Sequence, residues 1–413
     1  MTKRIAIVEG IRTPFARAGT VFAGIPAQEL GRIALRELIE RTDLDGTKID
    51  HVIIGNVANP PEAANVARVI TLMAGLPKET PAFTVSRNCA SGMESITSGS
   101  RMIMTGEAEV VIAGGAESMS RIPLFFNESA TRIFGDIFKS KTPLQKIQSL
   151  VRFRPKHFAP EIGVMLGLTD PVCGLNMGET AEVLAREFHI SREEEDGFAI
   201  ESHKRAMEAT ESGRFKDEII PIPIPPKYKN VQMDDNGIRK DTTIEKLAKL
   251  RPIFDKKYGT VTAGNSSQVT DGAAMVLLMS EEKAKALGHT PLGYLKSWQV
   301  AGVEPNRMGI APAIAIPQLL EKNGMTIKDI PLFEINEAFA AQVLAVLRVL
   351  KGLDPKLLNV NGGAIALGHP VGVSGTRLIL TLLKEMKRRN LGVGVAALCV
   401  GGGQGQALLL ERE

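Results

Sequence analysis

Short apolar runs and helical periods alternate along this chain of 413 residues. Ile5–Val8, His51–Val57 and Ala82–Ser86 are apolar runs of strand length. Between them, Ala27–Arg41 and Asn65–Ala74 repeat apolar positions at helical spacing. A further helix is predicted from Cys89 to about Met104, followed by a strand over Val110–Ala113 that ends at Gly114-Gly115. The same order returns late in the chain. Asn359–Ile365 reads as a buried strand, Gly368–Arg389 contains a helix, and Val395–Val400 reads as a strand ending in a glycine cluster. The pattern predicts an α/β layered fold with two similar halves.

Between the halves the texture changes after Ser120 and stays changed to about Leu250, with the proline run Pro221–Pro226 inside it. This stretch is expected to be an inserted loop domain. Within it, Ser191-Arg-Glu-Glu194 has the form of a capping box and predicts a helix through about Glu211. Arg132–His157 carries seven lysines and arginines against one aspartate, interleaved with apolar residues. It is either a solvated loop face or a surface for a membrane, an acyl chain or a partner subunit. Leu391–Leu410 has no charged residue over about the length of a membrane span, yet its six glycines favour two buried strands around a tight turn.

Composition narrows the classes without choosing a function. Apolar residues at 44% and charged residues at 23% are ordinary for a globular protein. A net charge of +4 is too small to argue for nucleic acid. Cys89, Cys173 and Cys399 are far apart with no CxxC pair, so neither a disulfide framework nor a metal site is expected, and a reducing compartment fits. The run after Lys3-Arg4 is too short for a signal peptide.

Four segments carry candidate chemistry. Val85-Ser-Arg-Asn-Cys89-Ala-Ser-Gly-Met93 places a cysteine at a strand-to-helix junction, where unpaired helix N–H groups are expected to lower its pKa. An isolated cysteine is more often a small core residue, so the reading needs a base. His369 sits in a glycine-rich junction from Asn359 to Gly375, a setting that His51, His157, His189, His203 and His289 lack. Cys399 stands just before Gly401-Gly-Gly403, where backbone N–H groups could meet at one oxygen; a phosphate cradle competes, but no Lys-Ser/Thr follows. Asn336, after Phe333-Glu-Ile, is either a side-chain amide for catalysis or a helix N-cap.

Together these segments resemble the thiolase family. The matching stretches are Arg12-Thr-Pro14, Asn88-Cys-Ala-Ser-Gly-Met93, Gly114-Gly-Ala-Glu-Ser-Met119, Gly259-Thr-Val-Thr-Ala-Gly-Asn265, Asp271-Gly272, Asn336-Glu-Ala-Phe339, Gly368-His-Pro370 and Cys399-Val-Gly401. The resemblance implies two βαβαβαββ halves in a layered αβαβα arrangement, each around a five-stranded mixed sheet, plus a loop domain. The boundaries expected are 1–120 with 250–279, 121–249, and 280–413. It also implies roles. Cys89 is acylated, His369 takes its proton, and Cys399 exchanges a proton with the acetyl-CoA carbon. One oxyanion hole uses the N–H groups of Cys89 and Gly401, the other His369 and a water held by Asn336. Met177, Phe254, Ala263, Ser267, Met308, Ala338 and Phe339 are implied to line the pantetheine tunnel. Coenzyme A is then a substrate, no cofactor is bound permanently, and no metal is needed.

The activity expected is 3-ketoacyl-CoA thiolysis. Its rivals are an acetyl-CoA acetyltransferase, a decarboxylating ketoacyl synthase, which would normally carry histidine in place of Cys399, and a non-catalytic lipid carrier. Short-chain biosynthetic thiolases usually have histidine where Asn176 stands and lack the Arg132–His157 insertion. That insertion, Ser86-Arg87 and Pro225-Pro226-Lys-Tyr228 resemble the β subunits of fatty-acid oxidation complexes, although many of those have His-Glu-Ala-Phe in place of Asn336-Glu-Ala-Phe339. The resemblance implies a homodimer or homotetramer, with a fatty-acid oxidation α subunit as a further partner; the basic stretch at 132–157 leaves a membrane-surface contact open, and the short apolar run at the start fits a bacterial-type cytoplasmic protein.

Overall fold

The computed structural model describes residues 3–413. Ten strands form its main sheet, numbered here in chain order. They are β1 (Ile5–Arg12), β2 (Ala16–Arg17), β3 (His51–Gly55), β4 (Ala82–Val85), β5 (Val110–Ser118), β6 (Thr270–Ser280), β7 (Gly293–Gly302), β8 (Phe333–Ile335), β9 (Val393–Val400) and β10 (Gln404–Glu411). Their order is β8-β9-β10-β7-β1-β6-β5-β3-β4, with β2 on β6. β3 runs parallel to β4 and β5, and β8 parallel to β9; the other pairs are antiparallel.

Among the described residues, three pairs, Ile5 with Leu295, Ala6 with Tyr294 and Ile7 with Gly293, join the amino-terminal strands to the carboxy-terminal ones. The sheet can therefore fold across this short seam. Helices Ser91–Thr105 and Ser374–Arg389 fill the space between its two parts. Met93, Ile96, Ile103, Leu378, Ile379, Leu382 and Met386 all share one core with Ile7, Val111, Val276, Leu398 and Leu408. Each such side chain contributes about 1.5–3 kcal/mol on burial. Helices Ala27–Thr42 and Val66–Met73 cover the outer face of one part, and Pro312–Lys322 with Ala340–Val349 cover the other. The result is five layers, helix and sheet alternating, as expected.

Several expected elements appear with corrected limits. β5 does not stop at Gly114-Gly115 but continues through Ser118. A Cβ on Gly114 would stand 2.1 Å from the Ala274 carbonyl oxygen, and one on Gly115 2.1 Å from that of Gly372. Glycine here admits a neighbouring backbone and does not break the strand. Asn359–Ile365 is not a strand: Asn359 and Gly362 take positive φ, 46° and 78°, and Ala364–Leu367 forms a short helix. A single bridge from Leu358 to Phe333 is all that continues the sheet at that edge. Ser191 and Glu194 form the expected capping box, and Leu391–Leu410 lies in the β9–β10 hairpin. No helix among the described residues is long and apolar enough to cross a membrane.

The chain divides into two compact units, Met1–Arg121 with Asp170–Glu413, and Ile122–Thr169. The separate unit is thus much shorter than the 121–249 segment. Residues 170–249 belong to the larger unit because buried ion pairs fasten them there: Arg12 donates to Glu218 at 2.8 Å and to Asp235 at 2.7 and 2.9 Å. The smaller unit pairs Leu124–Phe126 with Pro160–Ile162 and carries helices Glu128–Lys139 and Pro143–Leu150. Phe134 and Phe153 pack together with ring centroids 4.9 Å apart. Phe138 is 92% exposed, and Leu144, Ile147, Leu150 and Val151 are exposed as well.

Candidate active site

Cys89 lies on the connection between β4 and the Ser91–Thr105 helix. The preceding residue, Asn88, has φ 43°, a left-handed conformation that asparagine tolerates better than most side chains. Two contacts hold it there: its Nδ2 donates to the Gly401 carbonyl at 2.8 Å, and its own carbonyl accepts from Ser91 Oγ at 2.7 Å. Cys89 is half-buried. Burial pushes its thiol up; the N–H groups of Gly401 and of Cys89 itself, directed at the sulfur, pull it down, and the charge of Glu117 raises it further. The net direction is upward, contrary to the lowered pKa expected from the helix start. No cation faces the sulfur closely enough to outweigh desolvation, so the resting group is a thiol.

His369 approaches from the other half. Gly368 has φ 107°, and a Cβ there would stand 2.4 Å from Thr270 Cγ2, so the turn into His369 requires glycine. The His369 N–H donates to the Gln268 carbonyl at 3.0 Å. Its Nδ1 is 2.6 Å from Ser374 Oγ, and that hydroxyl donates to the Pro370 carbonyl at 3.1 Å. With its single hydrogen so used, Ser374 accepts from Nδ1–H, which leaves Nε2 as the bare nitrogen. Asn336 Nδ2 faces Nε2 at 3.4 Å. Burial, with Arg377 adding repulsion, lowers the His369 pKa to about 3. The imidazole is neutral at physiological pH and free to accept a proton.

Asn336 is not an N-cap. The next helix begins at Ala340 and its cap position is Phe339. The Asn336 N–H donates to the Ala397 carbonyl at 3.0 Å, its Nδ2 faces His369, and its buried Oδ1 has no protein partner. Cys399, at the end of β9, is fully buried, and its thiol is pushed up by burial and then by the charge of Cys89. Gly401 follows in the β9–β10 turn, where a Cβ would sit 3.2 Å from Met177 Sδ.

Of the residues expected along a ligand tunnel, Met177, Phe254, Met308, Ala338 and Phe339 share one apolar cluster with Cys399. Phe254 and Phe339 meet edge to face at 6.2 Å. Ser267, half-buried, donates its N–H to the Ala338 carbonyl at 2.9 Å, and Ala263 is exposed. Beyond Phe254 a cleft of about 490 Å³ continues past Glu179, Glu182, Arg186, Lys256 and Lys257. Asn176 caps the helix Met177–Glu187, its Oδ1 accepting from Gly178 N–H at 3.1 Å. Cys173 is half-buried in the turn held by Asp170, which accepts its N–H at 3.0 Å.

Sequence reasoning gave no role to Ser374 or Glu117. Ser374 opens a helix five residues after His369, a spacing with no meaning until the turn closes. Glu117 was hidden by ending the strand at Gly114-Gly115; with β5 continued through Ser118 it is an acid inside an otherwise apolar strand, which is a signal of a buried, partnered carboxylate.

Two family models cover nearly the whole chain: the thiolase N-terminal domain matches residues 5–282 and the thiolase C-terminal domain residues 289–412. A 3-ketoacyl-CoA thiolase of Pectobacterium atrosepticum is 42% identical over 99% of this chain and 96% of its own. One of Yersinia pestis is 40% identical over 99% and 97%. Among solved structures, the Bacillus anthracis acetyl-CoA acetyltransferase aligns with a TM-score of 0.91 at 41% identity, covering 99% of both chains. Human mitochondrial 3-ketoacyl-CoA thiolase in complex with CoA aligns at 0.89 and 40% identity, covering 100% of this chain and 98% of the other. With a five-layered fold that brings Cys89, His369, Asn336 and Cys399 together, and family models matching both halves, this chain belongs to the thiolase family.

Proposed function

We propose that this protein is a 3-ketoacyl-CoA thiolase, cleaving 3-ketoacyl-CoA with free coenzyme A to acetyl-CoA and a shortened acyl-CoA. The observation that supports the reading most is the set of hydrogen bonds that joins the segments of the three groups: Asn88, next to Cys89, donates to the Gly401 carbonyl two residues past Cys399, and Asn336 joins His369 at 3.4 Å to Ala397, two residues before Cys399. His369 accepts the Cys89 proton as the sulfur adds to the C3 carbonyl. The C2–C3 bond then breaks, its electron pair passes to C2, and Cys399 supplies the proton that completes acetyl-CoA. The acyl group stays on Cys89. Coenzyme A loses its thiol proton to Cys399, attacks the acyl carbon, and the Cys89 sulfur departs and recovers its proton from His369. The Cys89 and Gly401 N–H groups stabilise the oxyanion on the acyl carbon; His369 and a water held by Asn336 stabilise the enolate oxygen. Kinetics are then ping-pong.

Coenzyme A enters as a substrate past Met177, Phe254, Ala263, Ser267, Met308, Ala338 and Phe339. The apolar cluster around Cys399 supports this path. Bacterial relatives support a cytoplasmic enzyme. The partly exposed edge strand β4, with Leu72 and Met73 exposed on the neighbouring helix, supports pairing with a second copy, as a homodimer or within a homotetramer. The basic 132–157 stretch, with exposed apolar residues, supports contact with a fatty-acid oxidation α subunit or a membrane surface. We also read residues 1–120 with 250–279, and 280–413, as the two thiolase halves.

The test is coenzyme A-dependent cleavage of 3-ketoacyl-CoA from four to sixteen carbons, followed as loss of ketoacyl enolate absorbance. Activity on long chains supports the proposal. The likeness to an acetyl-CoA acetyltransferase keeps one second reading alive, condensation of acetyl-CoA, and activity confined to acetoacetyl-CoA would establish it instead.

A further inference from the structure

Glu117 takes no part in the acyl-transfer steps, yet it is a fully buried acid beside them. Its Oε1 accepts from Asn56 Nδ2 and from the Ala58 N–H, both at 2.9 Å. Its Oε2 accepts from the Val57 N–H and the Gly372 N–H, both at 3.0 Å. A carboxylate has about four acceptor positions, and here each one is used.

The donors come from both sides of the site. Asn56 follows β3, whose last residue, Gly55, lies so close under the Cys89 helix that a Cβ there would stand 2.4 Å from the Ser91 carbonyl carbon. Gly372 lies three residues after His369, and its carbonyl faces Gly92 and Gly115. The two helix starts also touch directly, Thr376 Oγ1 donating to the Gly92 carbonyl at 3.2 Å. One side chain thus ties the floor beneath Cys89 to the turn that carries His369.

We propose that Glu117 is a positioning residue, whose carboxylate fixes the Cys89 and His369 segments at one separation and directs its negative charge at the Cys89 thiol. The inference rests on the catalytic roles proposed for those two residues. Four N–H donors favour the ionised form, but burial and the charge of Asp271, on the adjacent β6, outweigh them and push the carboxyl up to about 7. Its charge also raises the Cys89 thiol. The function follows from both effects. The frame keeps base and nucleophile aligned, and the charge keeps the sulfur protonated until His369 takes the proton.

The deciding experiment compares wild type, Glu117→Gln and Asn56→Ala as full-length folded protein. Two quantities are read: the pH midpoint for iodoacetamide alkylation of Cys89, and kcat and KM for thiolysis. In Glu117→Gln the midpoint is expected at lower pH, because an opposing charge is gone, and kcat is expected about tenfold or more below wild type with KM within about twofold. Asn56→Ala removes one donor of four, keeps the frame foldable if the glutamine variant fails, and is expected to lower kcat less. An unmoved or higher alkylation midpoint together with wild-type kcat would overturn the proposal. So would a loss confined to melting temperature, which a purely structural group would give. If the wild type cleaves no ketoacyl-CoA, the thiolase reading fails, and the alkylation midpoint still decides whether Glu117 acts on Cys89.

Discussion

Ser374→Ala tests the tautomer on which the base depends. The Ser374 hydroxyl stands 2.6 Å from His369 Nδ1 and spends its own hydrogen on the Pro370 carbonyl. Alanine leaves the Nδ1–H without a partner in a residue only 7% exposed. An unpaired buried donor costs about 1–3 kcal/mol, and more when the ring becomes charged. The cost grows as the imidazole takes the Cys89 proton, so it falls on the barrier more than on the resting enzyme. At about 1.4 kcal/mol per tenfold, kcat should fall roughly 5- to 150-fold. The variant also permits the other tautomer, in which Nε2 carries the hydrogen and cannot accept one. Steady-state thiolysis with a saturating ketoacyl-CoA, alongside a melting curve to show the fold intact, measures the effect. KM should change little, since the hydroxyl's hydrogen-bond partners are His369 Nδ1 and the Pro370 carbonyl and not the tunnel residues. A kcat within twofold of wild type would refute the assignment of Nε2 as the base.

Three further outcomes follow from the same geometry. Cys89→Ser should form no acyl-enzyme by mass spectrometry after exposure to acyl-CoA, whereas Cys399→Ser should still be acylated and fail to release or form acetyl-CoA; equal acylation in Cys89→Ser and wild type would reverse the assignment. Gly115→Ala places a methyl 2.1 Å from the Gly372 carbonyl oxygen, and the required shift should lower stability by about 1–3 kcal/mol in a urea titration and disturb the turn after His369. Burial raises the Glu195 carboxyl to about 8, with Glu182 and Asp196 adding repulsion, while Oε2 has no partner. The folded chain holds a proton there that the unfolded chain releases above about 4.5, so stability falls progressively as pH rises from about 4.5 to about 8 and levels off above it. Glu195→Gln should therefore stabilise the protein more at pH 8 than at pH 6, by about 2 kcal/mol, and an equal effect at both values would contradict the shift.

The sequence by itself determined many of the elements and the candidate reacting groups. Apolar periods located Ile5–Val8, His51–Val57, Ala82–Ser86 and Val395–Val400 and the helices after Ala27, Asn65 and Cys89 within a few residues, because period two and period three to four bury different faces, whereas β6 and β7 were not assigned. Glycine, cysteine and histidine types at element junctions were enough to single out Cys89, His369 and Cys399. Where local reasoning failed, a distant contact was the cause. Gly114-Gly115 stays inside β5 because carbonyls from Ala274 and Gly372 press against it. Asn359–Ile365 leaves the sheet because Asn359 donates to Glu337 at 2.9 Å and takes a left-handed turn. The direction of the Cys89 pKa depended on burial and on Glu117, 28 residues further along and on β5. Asn336 looked like a cap because its neighbours in sequence suggested one, whereas its partner is His369, 33 positions away. Residue type and spacing record which chemistry a chain carries. Desolvation and hydrogen-bond geometry depend on groups brought together from both halves, and those only the tertiary structure decided.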